Sequence, residues 1–233
     1  MAIQLILYDL DGTLVNSRED LAVAVNRTLR DLNLEERPHE ELYGFVGNGV
    51  RMLLKRAVDD GHHPSGDPDE RLDRALAIFR EHYLNHLTDH STLYPGVLDV
   101  LTRFSDRHQA IVTNKPMIYT DGVVRNLDLA DRVGLVLSGD STPHLKPNPA
   151  MLQAALDHFG VDAGAAVMVG DGLPDIEAAR ALDIPSAILT CGMGNLEEVA
   201  AAKPDFLLDR IDHLIPLVER LDGAASPTGG DPR

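Results

Sequence analysis

Two aspartates separated by one residue follow a short apolar segment near the start of the chain. Residues 3–8 have the length and apolar content of a strand buried on both faces, and Asp9 and Asp11 come directly after them. Gly12 then lets the backbone turn sharply and approach a ligand closely. Two carboxylates at the end of a buried strand are costly unless positive charge lies beside them. The stretch predicts a bound cation, a bound phosphate group or both; the alternative is an ordinary strand end with two solvated acids.

Three later segments repeat this arrangement of an apolar strand followed by polar residues. They are the predicted strands at 109–113, 133–137 and 165–169. In an open parallel sheet, ligands bind beyond the carboxyl ends of the strands, so the polar residues that follow these strands are expected on one rim. The residues concerned are Asp9, Asp11, Thr113, Asn114, Lys115, Lys146, Asp171 and Asp175. Close carboxylates repel by roughly 4 kcal/mol per pair at an intermediate dielectric, and Mg²⁺, which prefers oxygen ligands, would remove that repulsion.

The composition limits the partners and the compartment. Of the 233 residues, 44% are apolar, which is enough for a sizeable core, and the formal charge is −16. This charge argues against nucleic acid and anionic membranes as partners, and it means that an anionic substrate needs local positive charge. The sequence has one cysteine, no basic segment before its first apolar stretch and no apolar run of membrane-spanning length. We expect a cytoplasmic protein that acts on a small phosphorylated metabolite, as a monomer or a homodimer.

The order of the predicted elements indicates an α/β fold, a doubly wound parallel sheet with an inserted all-helical domain. After Pro95-Gly96, strands alternate with helices, which is typical of parallel sheets with right-handed crossovers. Before it, only helical periodicity follows the first strand, with helices predicted at 18–33, 40–43, 50–58 and 70–87. We expect an α/β core at 1–16 and 92–221, a helical insertion at 17–91 and a disordered tail at 222–233.

The polar groups at the strand ends resemble the four motifs of the haloacid dehalogenase (HAD) superfamily of phosphohydrolases. The motifs Asp9-Leu-Asp-Gly-Thr, Thr113-Asn, Lys146-Pro and Gly170-Asp-x-x-x-Asp occur in the order found in that family. The first and the last are specific, whereas Thr113-Asn alone is also a common helix N-cap. The resemblance implies a HAD-like Rossmannoid core and identifies the helical insertion with the type 1 cap of the family.

The resemblance also implies roles for individual residues. Asp9 would be the nucleophile that forms an aspartyl-phosphate, and Asp11 the general acid that protonates the leaving oxygen and then activates water. Lys146 would stabilise the charged transition state, while Thr113 and the amide of Asn114 would donate to phosphate oxygens. The implied Mg²⁺ ligands are Asp9, the carbonyl of Asp11, Asp171, and Asp175 directly or through water.

Longer stretches narrow the resemblance to the phosphoglycolate phosphatases within the superfamily. They are residues 11–17, 46–49, 113–116, 138–140 and 145–149. This implies Mg²⁺-dependent hydrolysis of 2-phosphoglycolate to glycolate and phosphate. Related enzymes leave pyrophosphatase, sugar-phosphate phosphatase or phosphoglucomutase activity as alternatives. A haloacid dehalogenase and an inactive binding protein are remote ones.

A glycine-rich loop in the helical insertion is the candidate for recognising the rest of the substrate. Gly47, Asn48 and Gly49 are either a simple turn between two helices, or their backbone amides close over the substrate together with Arg51. A small carboxylate such as that of glycolate would suit these groups. Lys115, beside the predicted phosphate donors, either assists them or faces solvent.

Two further sequence patterns look like binding motifs but are incomplete. His82, His86 and His90 lie four residues apart along the long helix of the insertion, but no Glu or Cys completes a metal-ligand set, so we expect a solvated helix face. Gly192-Met-Gly194 lacks the third glycine of a dinucleotide loop. No dinucleotide is therefore expected.

Overall fold

The computed structural model describes residues 2–59 and 68–225. In these residues the strands are β1 (Leu5–Tyr8), β2 (Val15–Asn16), β3 (Thr92–Leu93), β4 (His108–Val112), β5 (Leu135–Leu137), β6 (Ala166–Gly170), β7 (Ser186–Leu189) and β8 (Phe206–Leu208). The α-helices are α1 (Arg18–Asp31), α2 (His39–Tyr43), α3 (Val50–Val58), α4 (Pro68–Asn85), α5 (Val97–Arg103), α6 (Met117–Asn126), α7 (Ala150–Phe159), α8 (Leu173–Arg180), α9 (Leu196–Ala202) and α10 (Leu214–Ala225). None of these helices combines the length and the apolar content needed to cross a membrane.

Six parallel strands form the main sheet, in the order β5-β4-β1-β6-β7-β8. Tyr8, the last residue of β1, lies beside Ile111 of β4 and Val169 of β6. The chain builds one half of the sheet outward from β1 and then crosses to the other half, so the strand order reverses between β1 and β6. This confirms the predicted doubly wound fold and places Asp9 at the reversal, where such sheets bind ligands.

Side chains that alternate along β1 divide the core into two layers. Ile6 and Tyr8 pack on the face covered by α5, α6 and α10, whereas Leu5 and Leu7 pack on the face covered by α7 and α8. All four side chains are fully buried. If β1 shifted by one residue against its neighbouring strands, each of its side chains would move to the opposite face of the sheet. Because both faces are buried, packing fixes the register of β1 and so the position of Asp9 at its end.

Helices α1–α4 pack around a separate core, which confirms the all-helical insertion. Val25 of α1, Leu54 of α3 and Phe79 of α4 are fully buried in it. Tyr119 of α6 joins the same cluster and contacts it from the α/β core. The insertion therefore has its own apolar core and rests on the core domain through an aromatic contact.

The chain enters and leaves the insertion through the antiparallel pair β2–β3, in which Asn16 lies opposite Thr92. Beside this pair the Asp20 carboxylate, only 1% exposed, accepts hydrogen bonds from the backbone N–H groups of His90 (3.0 Å) and Ser91 (2.7 Å) and from the Ser91 hydroxyl (2.5 Å). The start of α1 is thus fastened to the returning segment. We propose this pair as the domain boundary, in agreement with the predicted limits of the insertion.

The last helix corrects the predicted tail. Helix α10 continues past residue 221 to Ala225, so the expectation of disorder from residue 222 is wrong for residues 222–225. The physical reason is the Asp222 carboxylate, which accepts hydrogen bonds from the backbone N–H of Ile3 (2.8 Å) and from Arg107 (2.6 Å). Residues 226–233 of the predicted tail lie outside the described residues.

We expect Asp20→Asn to lower the free energy of unfolding by about 2–3 kcal/mol at neutral pH, because it leaves buried N–H donors poorly paired. Asp31→Asn on the same helix is the control, since the Asp31 carboxylate is 52% exposed and bonds only His82. Burial disfavours the ionised form, but hydrogen bonds from Ser91 and His90 outweigh it and lower the pKa of Asp20.

A lowered folded-state pKa contributes stability above the unfolded-state pKa and loses it as the pH falls. The stability difference between wild type and Asp20→Asn, measured by urea unfolding, should therefore shrink from about pH 6 to about pH 3. A difference that does not change with pH would contradict this account.

Candidate active site

Asp9 lies at the centre of the rim formed by the carboxyl ends of the strands. Its backbone N–H donates to the carbonyl of Val169 at 2.9 Å, which continues the pairing of β1 with β6 by one residue. Its Oδ1 accepts from the backbone N–H of Leu10 at 2.7 Å and lies 3.1 Å from Nζ of Lys146. The carboxylate is thereby held in one orientation at the floor of the site.

Lys146 is the buried cation of the site. Its side chain is 1% exposed, and Nζ contacts Oδ1 of Asp9 (3.1 Å), Oδ1 of Asp175 (2.6 Å) and the carbonyl of Val112 (2.7 Å). Burial alone would lower the pKa of Lys146, but the neighbouring carboxylates of Asp175 and Asp9 raise it. The lysine is therefore charged at every pH at which the protein works, and each of its three protons has an acceptor.

Three carboxylates, those of Asp9, Asp171 and Asp175, form an acidic cluster. One oxygen atom of each lies within 4.8 Å of the others. Burial raises the pKa of Asp9 to about 6, with Lys146 opposing the rise and Asp175 adding to it. Burial and the charges of Asp9 and Asp175 raise the pKa of Asp171 to about 8. One lysine does not balance three buried acids, so the oxygen-rich cluster has the chemistry of a divalent cation site.

Asp175 is positioned by the first turn of α8. Its Oδ2 accepts from the backbone N–H groups of Asp171 (3.2 Å) and Gly172 (3.1 Å), while Oδ1 accepts from Lys146. This capping interaction begins α8 at Leu173. Both Asp175 oxygens are therefore already used by protein donors.

A glycine-rich loop after β7 surrounds Asp171, and the sequence did not predict it as part of the site. The backbone N–H groups of Met193 (2.7 Å) and Gly194 (3.0 Å) donate to Oδ2 of Asp171, and the Thr13 hydroxyl lies 3.2 Å from Oδ1. A Cβ on Gly194 would lie 1.9 Å from the carbonyl oxygen of Asp171. The signal in the sequence was Gly192-Met-Gly194 at the end of another parallel strand, which is a rim position.

Asp11 has partners different from those of the acidic cluster. Its Oδ1 accepts from the Ser17 hydroxyl at 2.5 Å, and Nζ of Lys115 lies 3.1 and 3.0 Å from its two oxygens. Lys115 also donates to the Tyr83 hydroxyl of α4 at 2.7 Å, and its side chain is 4% exposed. Lys115 therefore does not face solvent. It links Asp11, the second aspartate of the first motif, to the helical insertion through Tyr83, which the sequence analysis did not single out.

Thr113 and Asn114 follow β4, beside Asp9. The Thr113 hydroxyl accepts from the backbone N–H of Lys115 at 3.2 Å. Thr113 and Asp9 both line a small cavity, which is described below. The side chain of Asn114 exchanges two hydrogen bonds with the backbone of Lys146, at 2.9 and 2.8 Å. The Asn114 side-chain amide therefore positions Lys146, which leaves the backbone N–H as the group of this residue that can reach a phosphate.

Two cavities meet at Asp9 and Asp11. The smaller, of about 50 Å³, is mostly apolar and lies against the insertion, with Tyr83 in its wall. The larger, of about 580 Å³, contains Asp171 and Asp175. We assign the larger cavity to substrate and metal because the acidic cluster faces it.

The glycine-rich loop of the insertion does reach these cavities. Gly47 lines both, Asn48 lines the larger and Gly49 the smaller. The Gly47 carbonyl accepts from the Asn114 side chain at 3.3 Å, so the loop is tied to the rim of the sheet. The structure thus brings the predicted loop to the site.

Arg51 is not at the site, and its predicted place over the substrate is wrong in this structure. Its side chain is 57% exposed, bonds Asp73 of α4 at 2.9 Å and lines neither cavity. The basic residue of α3 that lines the larger cavity is Arg56. The loop lines the cavities, but the helical phase of α3 turns Arg56 rather than Arg51 toward them.

The three histidines of the insertion make separate contacts. Each pairs with one aspartate: His82 with Asp31, His86 with Asp89 and His90 with Asp20. In the part of the chain that the structure describes, the acidic cluster of Asp9, Asp171 and Asp175 is the one group with metal-ligand geometry.

Comparison with known proteins gives the family context of this geometry. A family model described as haloacid dehalogenase-like hydrolase matches residues 6–189. A phosphoglycolate phosphatase from Colwellia psychrerythraea is 37% identical over 93% of this chain and 97% of its own length. Another from Nitrosococcus oceani is 36% identical over 89% and 93% of the two chains.

Solved structures have the same architecture. The crystal structure of a predicted phosphoglycolate phosphatase from Haemophilus somnus matches with a TM-score of 0.87 at 30% identity, covering 92% of this chain and 97% of that one. A haloacid dehalogenase-like hydrolase from Streptococcus pneumoniae matches with a TM-score of 0.80 at 22% identity, over 92% of this chain and 98% of that one. The second match supports the fold alone.

We expect Gly12→Ala to reduce turnover by at least about 100-fold, because the new methyl group displaces the carboxylate of Asp171 from the acidic cluster. Gly12 has φ +86°, and a Cβ there would lie 2.1 Å from Oδ2 of Asp171. Gly160→Ala is the control, since Gly160 has φ +66° but nothing within 4 Å of its Cβ. It should lose about 1 kcal/mol of stability and no activity. Equal rates for the two variants, measured with a generic phosphate ester, would refute the close-approach requirement.

Proposed function

The chain belongs to the haloacid dehalogenase-like hydrolases, and from that premise we propose that it is a Mg²⁺-dependent phosphatase that hydrolyses 2-phosphoglycolate through an aspartyl-phosphate. The observation that carries the proposal is the position of Asp9. Its carboxylate contacts the buried ammonium of Lys146, clusters with the carboxylates of Asp171 and Asp175 and lines the larger cavity. A carboxylate held in this way can attack a phosphorus atom whose oxygens face the cations.

The acidic cluster fits the proposed cation. Mg²⁺ would be held by the carboxylates of Asp9 and Asp171 and by the backbone carbonyl of Asp11. Asp175, whose oxygens accept hydrogen bonds from Lys146 and from the start of α8, would act directly or through water. When bound, Mg²⁺ supplies charge neutralisation for the acids and for the phosphoryl oxygens.

The first half of the reaction forms a bond between a carboxylate oxygen of Asp9 and phosphorus, while the bond from phosphorus to the ester oxygen breaks. Lys146 holds the Asp9 carboxylate and stabilises the charge that develops beside it. The Thr113 hydroxyl and the backbone N–H of Asn114 donate to the phosphoryl oxygens. Asp11 gives a proton to the departing oxygen, which leaves as the alcohol.

The second half returns the enzyme to its starting state. Asp11, now ionised, takes a proton from water, whose oxygen attacks phosphorus and releases phosphate from Asp9. Ser17 and Lys115 hold the Asp11 carboxylate from one side, so the same group serves both proton transfers in one place.

The substrate assignment is supported by the relatives. Those at 37% and 36% identity are phosphoglycolate phosphatases, and they are covered over 97% and 93% of their length. The cavity of about 580 Å³ is larger than this substrate needs, so size alone does not distinguish it from a sugar phosphate. Selectivity must therefore come from charged groups in the cavity wall.

We expect Asp9→Asn to lower turnover by at least about 1,000-fold, since an amide does not attack phosphorus. The variant should be no less stable than wild type in the absence of metal, because it removes one of three mutually repelling acids. Asp157→Asn, an exposed change of equal charge on α7, is the control and should keep full activity. Initial rates and thermal unfolding check both points. A phosphoryl adduct that mass spectrometry detects in both wild type and Asp9→Asn would place the nucleophile elsewhere.

We expect the initial rates with Mg²⁺ to be highest for 2-phosphoglycolate in a panel with pyrophosphate, hexose phosphates and a haloacid. A chelator should abolish the rates, and added Mg²⁺ should restore them, because the cluster needs a cation to balance its charge. Preference for pyrophosphate or a hexose phosphate would overturn the substrate assignment, and full activity in chelator would overturn the metal assignment.

A further inference from the structure

The larger cavity has an uneven distribution of charge. Six of its lining residues are acidic: Asp9, Asp11, Asp171, Asp175, Glu177 and Glu198. Arg56 of α3 is the one basic residue among the lining residues that the structure describes. An anion that enters this cavity is therefore repelled by most of its wall, and the position of Arg56 decides where a second negative charge can be accommodated.

The two lysines near the cavity are already used. Lys146 is surrounded by Asp9, Asp175 and a backbone carbonyl, and Lys115 by Asp11 and Tyr83. Both side chains are at most 4% exposed. They act at the phosphoryl end of the site and are not available to the far end of a substrate.

Arg56 is held by a backbone carbonyl of the loop that precedes α3. One of its nitrogen atoms donates to the carbonyl of Phe45 at 3.3 Å, and Phe45 also lines the cavity. The side chain is half-buried, and it forms no ion pair with any carboxylate in residues 2–59 and 68–225. A guanidinium group has five N–H donors, so the remaining ones can bind a planar carboxylate through two hydrogen bonds.

The helical geometry explains why Arg56 rather than Arg51 has this position. The two residues are five positions apart on α3, which places their side chains about 140° apart around the helix axis. Arg51 projects outward to Asp73, whereas Arg56 projects toward the loop that carries Phe45 and Gly47. One helix thus presents one arginine to solvent and the other to the site.

We propose that Arg56 is the specificity-determining residue that binds the carboxylate of the substrate and makes the enzyme select phosphate esters with a second negative charge. The inference rests on the proposed function and extends it to a named residue. The phosphoryl group lies at Asp9 and Lys146 on the rim of the sheet, and the carboxylate faces Arg56 on the insertion. When the phosphate ester lacks this carboxylate, no anion binds to the Arg56 guanidinium, whose neighbours in the cavity lining are acidic.

The test compares Arg56→Gln with Arg51→Gln, two equal changes of charge on one helix. A glutamine at position 56 keeps a side-chain N–H donor while the charge is lost. Each variant and the wild type are assayed with 2-phosphoglycolate and with 2-hydroxyethyl phosphate, in which a neutral hydroxymethyl group replaces the carboxylate. Thermal unfolding verifies that the variants are folded.

We expect Arg56→Gln to lower kcat/KM for 2-phosphoglycolate by about 10- to 100-fold, the usual effect of losing a charged hydrogen-bond partner. The value for 2-hydroxyethyl phosphate should change by less than about threefold, and Arg51→Gln should leave both substrates unaffected. Arg56→Lys keeps the charge without the planar fork and should recover part of the lost selectivity.

Equal losses on the two substrates, or a selective loss in Arg51→Gln, would overturn the role of Arg56. A wild-type enzyme that does not prefer the carboxylate ester would instead overturn the substrate assignment itself. The two failures are distinguished because the second is seen in the wild type before any variant is compared.

Discussion

The buried ammonium group of Lys146 is the interaction on which the arrangement of the site depends. It joins the carboxylate that follows β1, the last carbonyl of β4 and the carboxylate in the first turn of α8. A buried lysine without these partners would cost several kcal/mol, and so would the acids without the lysine. The ends of two neighbouring strands and a helix are therefore held at fixed distances by one charge. Because three acids surround that charge, the balance remains negative, and this excess is what a divalent cation would neutralise.

Close approach of backbone to carboxylate is the second constraint, and it explains the glycines around Asp171. A Cβ on Gly12, Gly192 or Gly194 would lie between 1.9 and 2.3 Å from an atom of Asp171. No side chain fits in that space, so the walls next to the acid are backbone, and backbone N–H groups can reach its oxygen directly. On this side Asp171 is thus held by backbone groups, which cannot change rotamer, and its orientation stays fixed when a ligand enters or leaves.

The sequence predicted the parts of the molecule that depend on local pattern and on the rules of parallel sheets. The doubly wound fold, the helical insertion and the rim that carries Asp9, Thr113 and Asp171 follow from apolar strands that each end in polar residues. The predictions that were wrong concern features that depend on how a helix is rotated within the fold and on contacts with residues distant in sequence. Arg51 and Arg56 are equally basic in the sequence, and only the packing of α3 on its neighbours decides which faces the cavity. The start of the predicted tail looked solvated by composition, but Asp222 bonds the backbone of Ile3, at the opposite end of the chain, and the side chain of Arg107.

The helical insertion reaches the proposed site at two points, through Tyr83, which accepts a hydrogen bond from Lys115 of the core, and through Arg56. Lys115 lies between the carboxylate of Asp11 and the hydroxyl of Tyr83, and its ammonium also lies 4.8 Å from the centre of the Tyr83 ring. The network around Lys146 lies within the α/β core, whereas the network around Asp11 crosses to the insertion. Displacement of α4 would thus alter the environment of Asp11, the proposed acid and base, while leaving Asp9 and the acidic cluster in place. In the proposed mechanism the division of the chain into two units is therefore also a division of the reaction, because attack on phosphorus would depend on the core and proton transfer on the contact between the units.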